Sequence, residues 1–162
     1  MKIVIMLPTY NERASIETLI PQLAGLEIKD VQISILVIDD NSPDGTADFV
    51  ASLKIPNVDI LKRPQKDGLG NAYKAGILKI LNDPKVTHLV SMDADSSHRV
   101  IDLIKLIEAC QVNLNADLII GSRWIPGGGI ENWPFARRFL SKLGTRYAQW
   151  ALKLEVADLT GG

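Results

Sequence analysis

Five short apolar runs, rich in β-branched residues, recur along the chain: KIVIML (2–7), ISILVI (33–38), NVDIL (57–61), VTHLVSM (86–92) and DLIIGS (117–122). Most of them lack the apolar–polar alternation of a strand that shows one face to water. Runs of this kind suit strands covered on both faces. Segments of helical period lie between them. Residues 12–25 carry Ile16, Leu19, Ile20 and Leu23, and residues 70–81 carry Ala72, Ala75, Ile77, Leu78 and Leu81. Residues 99–110 carry Ile101, Leu103, Ile104, Leu106 and Ile107, with Asp102, Lys105 and Glu108 as a polar stripe. A further helix is expected over 44–53, with Ser42 or Asp44 as its cap. A basic helix is expected over 134–154, after a Gly-rich loop. Alternation of strands and helices predicts an α/β fold: a doubly wound, mostly parallel, Rossmann-like sheet.

Length and charge narrow the class further. A chain of 162 residues fits one domain with a sizeable core, and no repeat, low-complexity tract or linker divides it, so 1–162 reads as a single domain. A net charge of -1 gives no reason to expect nucleic acid as a partner. The single cysteine, Cys110, excludes an internal disulfide, fits a reducing compartment and suits a small apolar packing role in a helix. No signal peptide is evident, since Met1-Lys2 is followed by a short run that Pro8 ends. No stretch approaches the ~18 apolar residues of a membrane span. The expected location is cytoplasmic.

In an open parallel sheet, ligands bind outside the carboxyl ends of the strands. The residues just after each run therefore outline the expected site: Pro8-Thr9-Tyr10-Asn11-Glu12, then Asp39-Asp40-Asn41-Ser42, then KRPQKDGLG, then Asp93-Ala94-Asp95, then Gly121-Ser122-Arg123. Ionised, Asp93 and Asp95 repel each other and only accept hydrogen bonds. A hard divalent cation, Mg2+ or Mn2+, would neutralise them and keep positions open for water and phosphate oxygens. Arg123 could add a bidentate donor for phosphate. The plainer reading of Asp-Ala-Asp is a solvated turn with an N-cap aspartate for the helix after it. Its place among other polar strand ends favours the cation.

Asp39 and Asp40 allow two roles at once: acceptors for a ribose or base, and turn residues in DDNSPDGT. Tyr10 would stack on a base or pack half-buried. Gly68 and Gly70 do not complete a dinucleotide fingerprint, because Tyr73 stands at the third glycine and the motif comes after the third run. His88 belongs inside a strand. His98 lies near the cleft, where a helix-start role competes with catalysis.

The stretches LPTYNER (7–13), VIDDNSPDGT (37–46), DGLGNAYKAG (67–76), MDADSSH (92–98), GSRWIPGGGIENW (121–133) and ADLTGG (157–162) together resemble the family 2 glycosyltransferases of the GT-A fold. Within these the resemblance is to the dolichyl-phosphate (polyprenyl-phosphate) mannosyltransferases. It implies an enzyme that transfers mannose from GDP-mannose to a polyprenyl phosphate, with Mg2+ or Mn2+ and with inversion at the sugar. By matching position, Pro8, Tyr10, Glu12, Ile38 and Asp40 would line the nucleoside pocket. Asp93, Ala94 and Asp95 would flank the diphosphate and its metal, Arg123 would reach a phosphate, and Ser97 would stand where some members place a further metal ligand.

Relatives of that kind continue past the Gly-Gly pair, so the resemblance also implies a catalytic domain incomplete at its C-terminus. Alternatives are a family 2 transferase using another donor, such as UDP-glucose, and a non-catalytic nucleotide-sugar binding module. In the last helix, Phe135, Phe139, Leu140, Leu143, Trp150, Ala151 and Leu154 lie among Arg137, Arg138, Lys142, Arg146 and Lys153. That pattern fits either peripheral contact with the cytoplasmic face of a membrane or a core helix whose basic side chains snorkel to water.

Overall fold

A computed structural model describes residues 1–95, 97–125, 128–129, 134–153 and 156–158, which form two compact units, Met1–Ile101 and Asp102–Gly162. The first unit holds β1 (Lys2–Thr9), α1 (Arg13–Ala24), β2 (Gln32–Asp39), α2 (Thr46–Leu53), β3 (Val58–Lys62), α3 (Leu69–Ile80) and β4 (His88–Ser91). Helix α4 (Val100–Val112) begins at its end, and α5 (Phe135–Leu152) belongs to the second unit.

The sheet is parallel throughout, in the order β3-β2-β1-β4. β1 pairs with β2 from Lys2↔Gln32 to Thr9↔Asp39, and with β4 from Ile3↔His88 to Met6↔Ser91. The chain steps outward from β1 to β2 to β3, then crosses back to lay β4 on the other side of β1. With right-handed crossovers, that reversal moves the connecting helix to the opposite face of the sheet. Val4, Met6, Leu36 and Ile38 accordingly form one core cluster with Ala72 and Ile80 of α3. Alternation along the strand turns Ile3, Ile5 and Leu7 to the other face, and all three are buried. α1 and α2 contact each other and β2, and Ile16, Leu19, Ile20 and Leu23 of α1 are buried as their spacing predicts. Gly76 sets the approach of α3 to the sheet: a Cβ there would lie 2.5 Å from Ile38 Cδ1 and 3.3 Å from Met6 Sδ.

Three expectations need correction. Residues 117–122 form no strand, and Leu118 is 75% exposed. An extended apolar run becomes a strand only when a neighbour takes its N–H and C=O groups, and among the described residues no ladder does so here. In α3, Leu78 and Leu81 face outward, while Ala72, Gly76 and Ile80 make the buried face. The small residues pack because the helix sits so close to the sheet. At α2 the N-cap is Gly45, with φ 77°, and it has no side-chain cap. Asp44 instead accepts from Thr46 N at 3.0 Å, just ahead of the helix, and Ser42 serves the end of β1.

In the second unit, Leu103 and Ile107 are the buried positions of α4, and Cys110 is half-buried there. α5 runs for 18 residues, with Thr145 as its one buried residue among those described. Leu154, which the sequence pattern adds to that helix, lies outside the described residues, as do Ser96, Pro126, Gly127, 130–133, Glu155 and 159–162.

Candidate functional site

The strand order places a topological switch point between β1 and β4, where crossovers leave in opposite directions. Ligands of open α/β sheets bind in the crevice outside the carboxyl ends at such a point. β1 ends here at Thr9 and β4 at Ser91, two residues before Asp93, with the end of β2 one strand away.

The ends of β1 and β2 are tied tightly. Asp39, 1% exposed, accepts from Thr9 Oγ1 at 3.0 Å, from Ser42 N at 3.0 Å and from Ser42 Oγ at 2.6 Å. Ser42 Oγ in turn accepts from Asn11 N at 3.0 Å, and Asp44 accepts from Arg13 N at 3.0 Å. Asn11 and Asn41 both take left-handed backbone conformations, with φ 60° and 59°, so the chain bends sharply after each strand. Asparagine tolerates that region better than most residues. The two loops thus form one bonded rim.

Asp40 has a different environment. It is buried and pairs with Arg63, whose Nη1 lies 2.7 Å from Asp40 Oδ1, and Arg63 also pairs with Asp67. Burial pushes the Asp40 carboxyl up; Arg63 pulls it down, and the charges of Asp67 and Asp39 add to the rise. Arg63 itself is raised: its acidic partners outweigh burial, which works the other way. Its backbone N–H donates to Asp39 O at 2.8 Å, which anchors it at the end of β3. Tyr10, 38% exposed, has the Lys66 ammonium 4.1 Å above its ring. Pro8 is half-buried at the end of β1, and Glu12 accepts from Ser15 Oγ at 2.9 Å. The Ile38 side chain is fully buried in the α3-facing core, so it can shape the pocket floor but not present a side chain to a ligand.

After β4, Met92 N still donates to Met6 O at 3.2 Å, and Met92 and Ala94 are buried. Asp93 is half-buried and Asp95 exposed, as a buried–exposed alternation through Ala94 requires. Asp95 Oδ1 accepts from Ser97 N at 2.9 Å. Hydrogen bonds from the Ser97 side chain and backbone hold the Asp95 carboxyl below its ordinary range. His98 Nδ1 accepts from Asp93 N at 3.0 Å, and its Nε2 lies 3.8 Å from Asp93 Oδ2. Tyr73 of α3 is pushed up to about 12 by burial and by the charge of Asp93, against the pull of a hydrogen bond with Ser91. Among the described residues no three His, Cys, Asp or Glu side chains gather as a ready metal cage. Two hard carboxylates that leave most positions to water and phosphate oxygens suit Mg2+ or Mn2+, which keep several such ligands.

In the second unit, Arg123 is held by Asp158, whose side chain is fully buried. Nε lies 2.7 Å from Oδ2, Nη2 lies 2.8 Å from Oδ1, and the Arg123 backbone N–H donates to Oδ2 at 3.2 Å. Asp158 comes first among the causes that raise the Arg123 pKa, against its burial. The first unit therefore brings Pro8, Tyr10, Glu12, Asp40, Asp93, Ala94, Asp95 and Ser97 to the carboxyl edge of one sheet, and Arg123 belongs to the other unit. Sequence reasoning missed Arg63 as the partner of Asp40, and Asp67 as the second acid on Arg63. The signal was present in KRPQKDG, a basic residue just after the third run. It also missed Asp158 as the partner of Arg123; nothing in a separation of 35 residues announces that pair.

The family profile Glycosyl transferase family 2 matches residues 4–162. The undecaprenyl-phosphate mannosyltransferase of Micrococcus luteus is 42% identical over 164 aligned residues, which cover 100% of this chain and 65% of the relative. The polyprenol monophosphomannose synthase of Mycolicibacterium smegmatis is 41% identical, over 98% of this chain and 58% of the relative. The chain thus spans less than two thirds of the length of either. A mannosyltransferase from Pyrobaculum calidifontis, solved in complex with GDP-Man and Mn2+, aligns with a TM-score of 0.53 at 22% identity, over 74% of this chain and 33% of that one. The fold they share is GT-A.

Proposed function

The chain belongs to glycosyl transferase family 2, and from that premise we propose that it transfers mannose from GDP-mannose to a polyprenyl phosphate. The names of the relatives support the donor sugar and the acceptor class. The observation that carries the reading is the pair Asp93 and Asp95 at the carboxyl end of β4, beside the switch point, with buried Asp40 at the end of β2 on the far side of β1. The family match runs across both units, which supports treating 1–162 as one catalytic domain.

In this reading Asp40, oriented by Arg63, accepts hydrogen bonds from the nucleoside. Tyr10 offers a ring face to the base, and Pro8, Glu12, Ile38 and Ala94 shape the surrounding wall. Asp93 and Asp95 would hold Mg2+ or Mn2+, with Ser97 setting the orientation of Asp95 through its backbone N–H rather than as a strong ligand. When bound, the ion supplies charge stabilisation to the departing diphosphate. Arg123, its guanidinium oriented by Asp158, would add its positive charge to that stabilisation. The acceptor phosphate is already anionic at neutral pH, so the site needs no strong general base. Its oxygen attacks the anomeric carbon as the bond to the diphosphate breaks on the opposite face, which inverts the centre.

α5 supports contact with a membrane surface. Phe135, Phe139, Leu143, Tyr147 and Trp150 form one helical stripe and are exposed, and Arg138, Lys142 and Arg146 form the next. That pattern suits a helix lying in a lipid interface. Among the described residues no helix is long and apolar enough to cross a membrane.

Calorimetry with GDP-mannose and with UDP-glucose, each with Mn2+ and with EDTA, tests the donor reading. Mn2+-dependent binding of GDP-mannose, lost in Asp93→Ala, is the expected result. Tighter binding of UDP-glucose would overturn the choice of donor. Mannose recovered in the lipid phase after incubation with a short polyprenyl phosphate tests the acceptor.

A further inference from the structure

Met92 is the last residue of the 86–92 run whose N–H bonds to β1, donating to Met6 O at 3.2 Å. The next backbone donor, Asp93 N, lies beyond that ladder and is taken by a side chain five residues on: His98 Nδ1, at 3.0 Å. A ring nitrogen that accepts carries no proton. The neutral imidazole therefore has its proton on Nε2, the nitrogen 3.8 Å from Asp93 Oδ2. One ring thus ties the Asp93 backbone to residue 98 and turns its N–H edge toward the first carboxylate. Beside it, Ser97 N donates to Asp95 Oδ1 at 2.9 Å.

We propose that His98 is a positioning residue for the diphosphate site: by capturing the Asp93 N–H it sets the geometry in which the Asp93 and Asp95 carboxylates are presented together. This rests on the reading of those two aspartates as the metal and diphosphate site. Groups outside a metal's ligand set matter because they fix the orientation of the groups within it, and their loss typically lowers metal affinity on the order of 10–100-fold. His98 itself need not touch the ion or the sugar.

Substitutions of different reach separate the roles. His98→Asn keeps an acceptor oxygen near the place of Nδ1, His98→Gln carries its amide further out toward the place of Nε2, and His98→Ala removes both. The affinity of the chain for GDP would be measured by calorimetry with Mn2+ and with EDTA, and exchange of the Asp93 amide proton by NMR without metal. In His98→Ala the Mn2+-dependent gain in GDP affinity should fall about 10-fold or more. GDP binding in EDTA should stay unchanged, and the Asp93 amide should lose its protection from exchange. His98→Asn should restore both the amide protection and most of the gain; His98→Gln should restore neither. Unchanged Mn2+-dependent affinity in His98→Ala, alongside a loss in Asp93→Ala, would overturn the positioning role and leave the site reading standing. No loss in Asp93→Ala would overturn the site reading itself. Rescue by His98→Gln but not by His98→Asn would place the function on Nε2 and overturn the backbone capture.

Discussion

Two strand ends of the first unit carry a pair of acids each, and the fold treats them in opposite ways. At the end of β2, Asp39 and Asp40 are 1% and 6% exposed, and their charge is answered from within by Thr9, Ser42 and Arg63. At the end of β4, Asp93 is half-buried and Asp95 exposed, and their partners, His98 and Ser97, come from the same short stretch. Carboxylates buried among strong donors are first of all part of the scaffold, even where one of them, Asp40 in the proposed reading, also accepts from a ligand. Carboxylates held only by local partners keep oxygen capacity for a ligand. Two adjacent acids after a strand do not announce which they are.

Arg63→Ala should produce the largest loss of stability. It strands the buried Asp40 carboxyl without its cation, at a cost of about 3 kcal/mol, toward the low end for a broken buried pair because this one sits at the sheet edge. Urea unfolding measures it. Asp40→Asn combined with Arg63→Ala should recover part of the loss, since the uncompensated charge is then gone.

Asp39→Ala comes next. It removes three hydrogen bonds from the rim and leaves Thr9 Oγ1 and the Ser42 donors to find other partners, which should cost about 2 kcal/mol. A loss below ~0.5 kcal/mol would show that the rim does not depend on this carboxylate.

At the other strand end, Asp93→Asn and Asp95→Asn should each change stability by less than ~0.5 kcal/mol, as substitutions at partly exposed sites usually do. Both should still abolish Mn2+-dependent GDP binding. An unfolding midpoint shifted as far as in Asp39→Ala would erase the contrast between the two ends.

The smallest effect is in the acid titration. Asp95 has a folded pKa below its ordinary 3.8. Its contribution to stability is therefore fully present above the unfolded value and is lost as pH falls through the folded one. Asp40 has a folded pKa above 3.8, so its contribution has the opposite sign: full below the unfolded value and lost as pH rises through the folded one. Carboxyl 13C titration should give Asp95 the lower midpoint of the two. The reverse order would mean that Arg63 outweighs burial at Asp40.

Much of this architecture is legible in the chain. The first four apolar runs became the four strands: β1 and β2 are buried, as continuous Val and Ile stretches should be, whereas β3 and β4 hold only half-buried and exposed residues, so the expectation of cover on both faces held for the first two alone. Ile16, Leu19, Ile20 and Leu23 gave away the buried face of α1, because period 3.6 is a property of the backbone. Residues 117–122 show the limit of the same reasoning. Their composition matches the other runs, but strand formation depends on a hydrogen-bonding neighbour that a local pattern cannot reveal. Leu78 and Leu81 misled for a related reason, since the closest face of α3 is made by Gly76 rather than by its largest side chains.

The sequence by itself determined that this is a parallel α/β chain of glycosyl transferase family 2, with acids at its strand ends, because buried strands and short motifs are written in consecutive residues. Only the tertiary structure decided that β4 lies beside β1, which puts the strand end carrying Asp93 and Asp95 at the switch point. It alone set Arg63 against Asp40 across 23 residues of sequence and tied the Asp93 backbone to His98. Those outcomes arise from strand order, crossover handedness and the need of each buried or off-ladder polar group to find a partner in space.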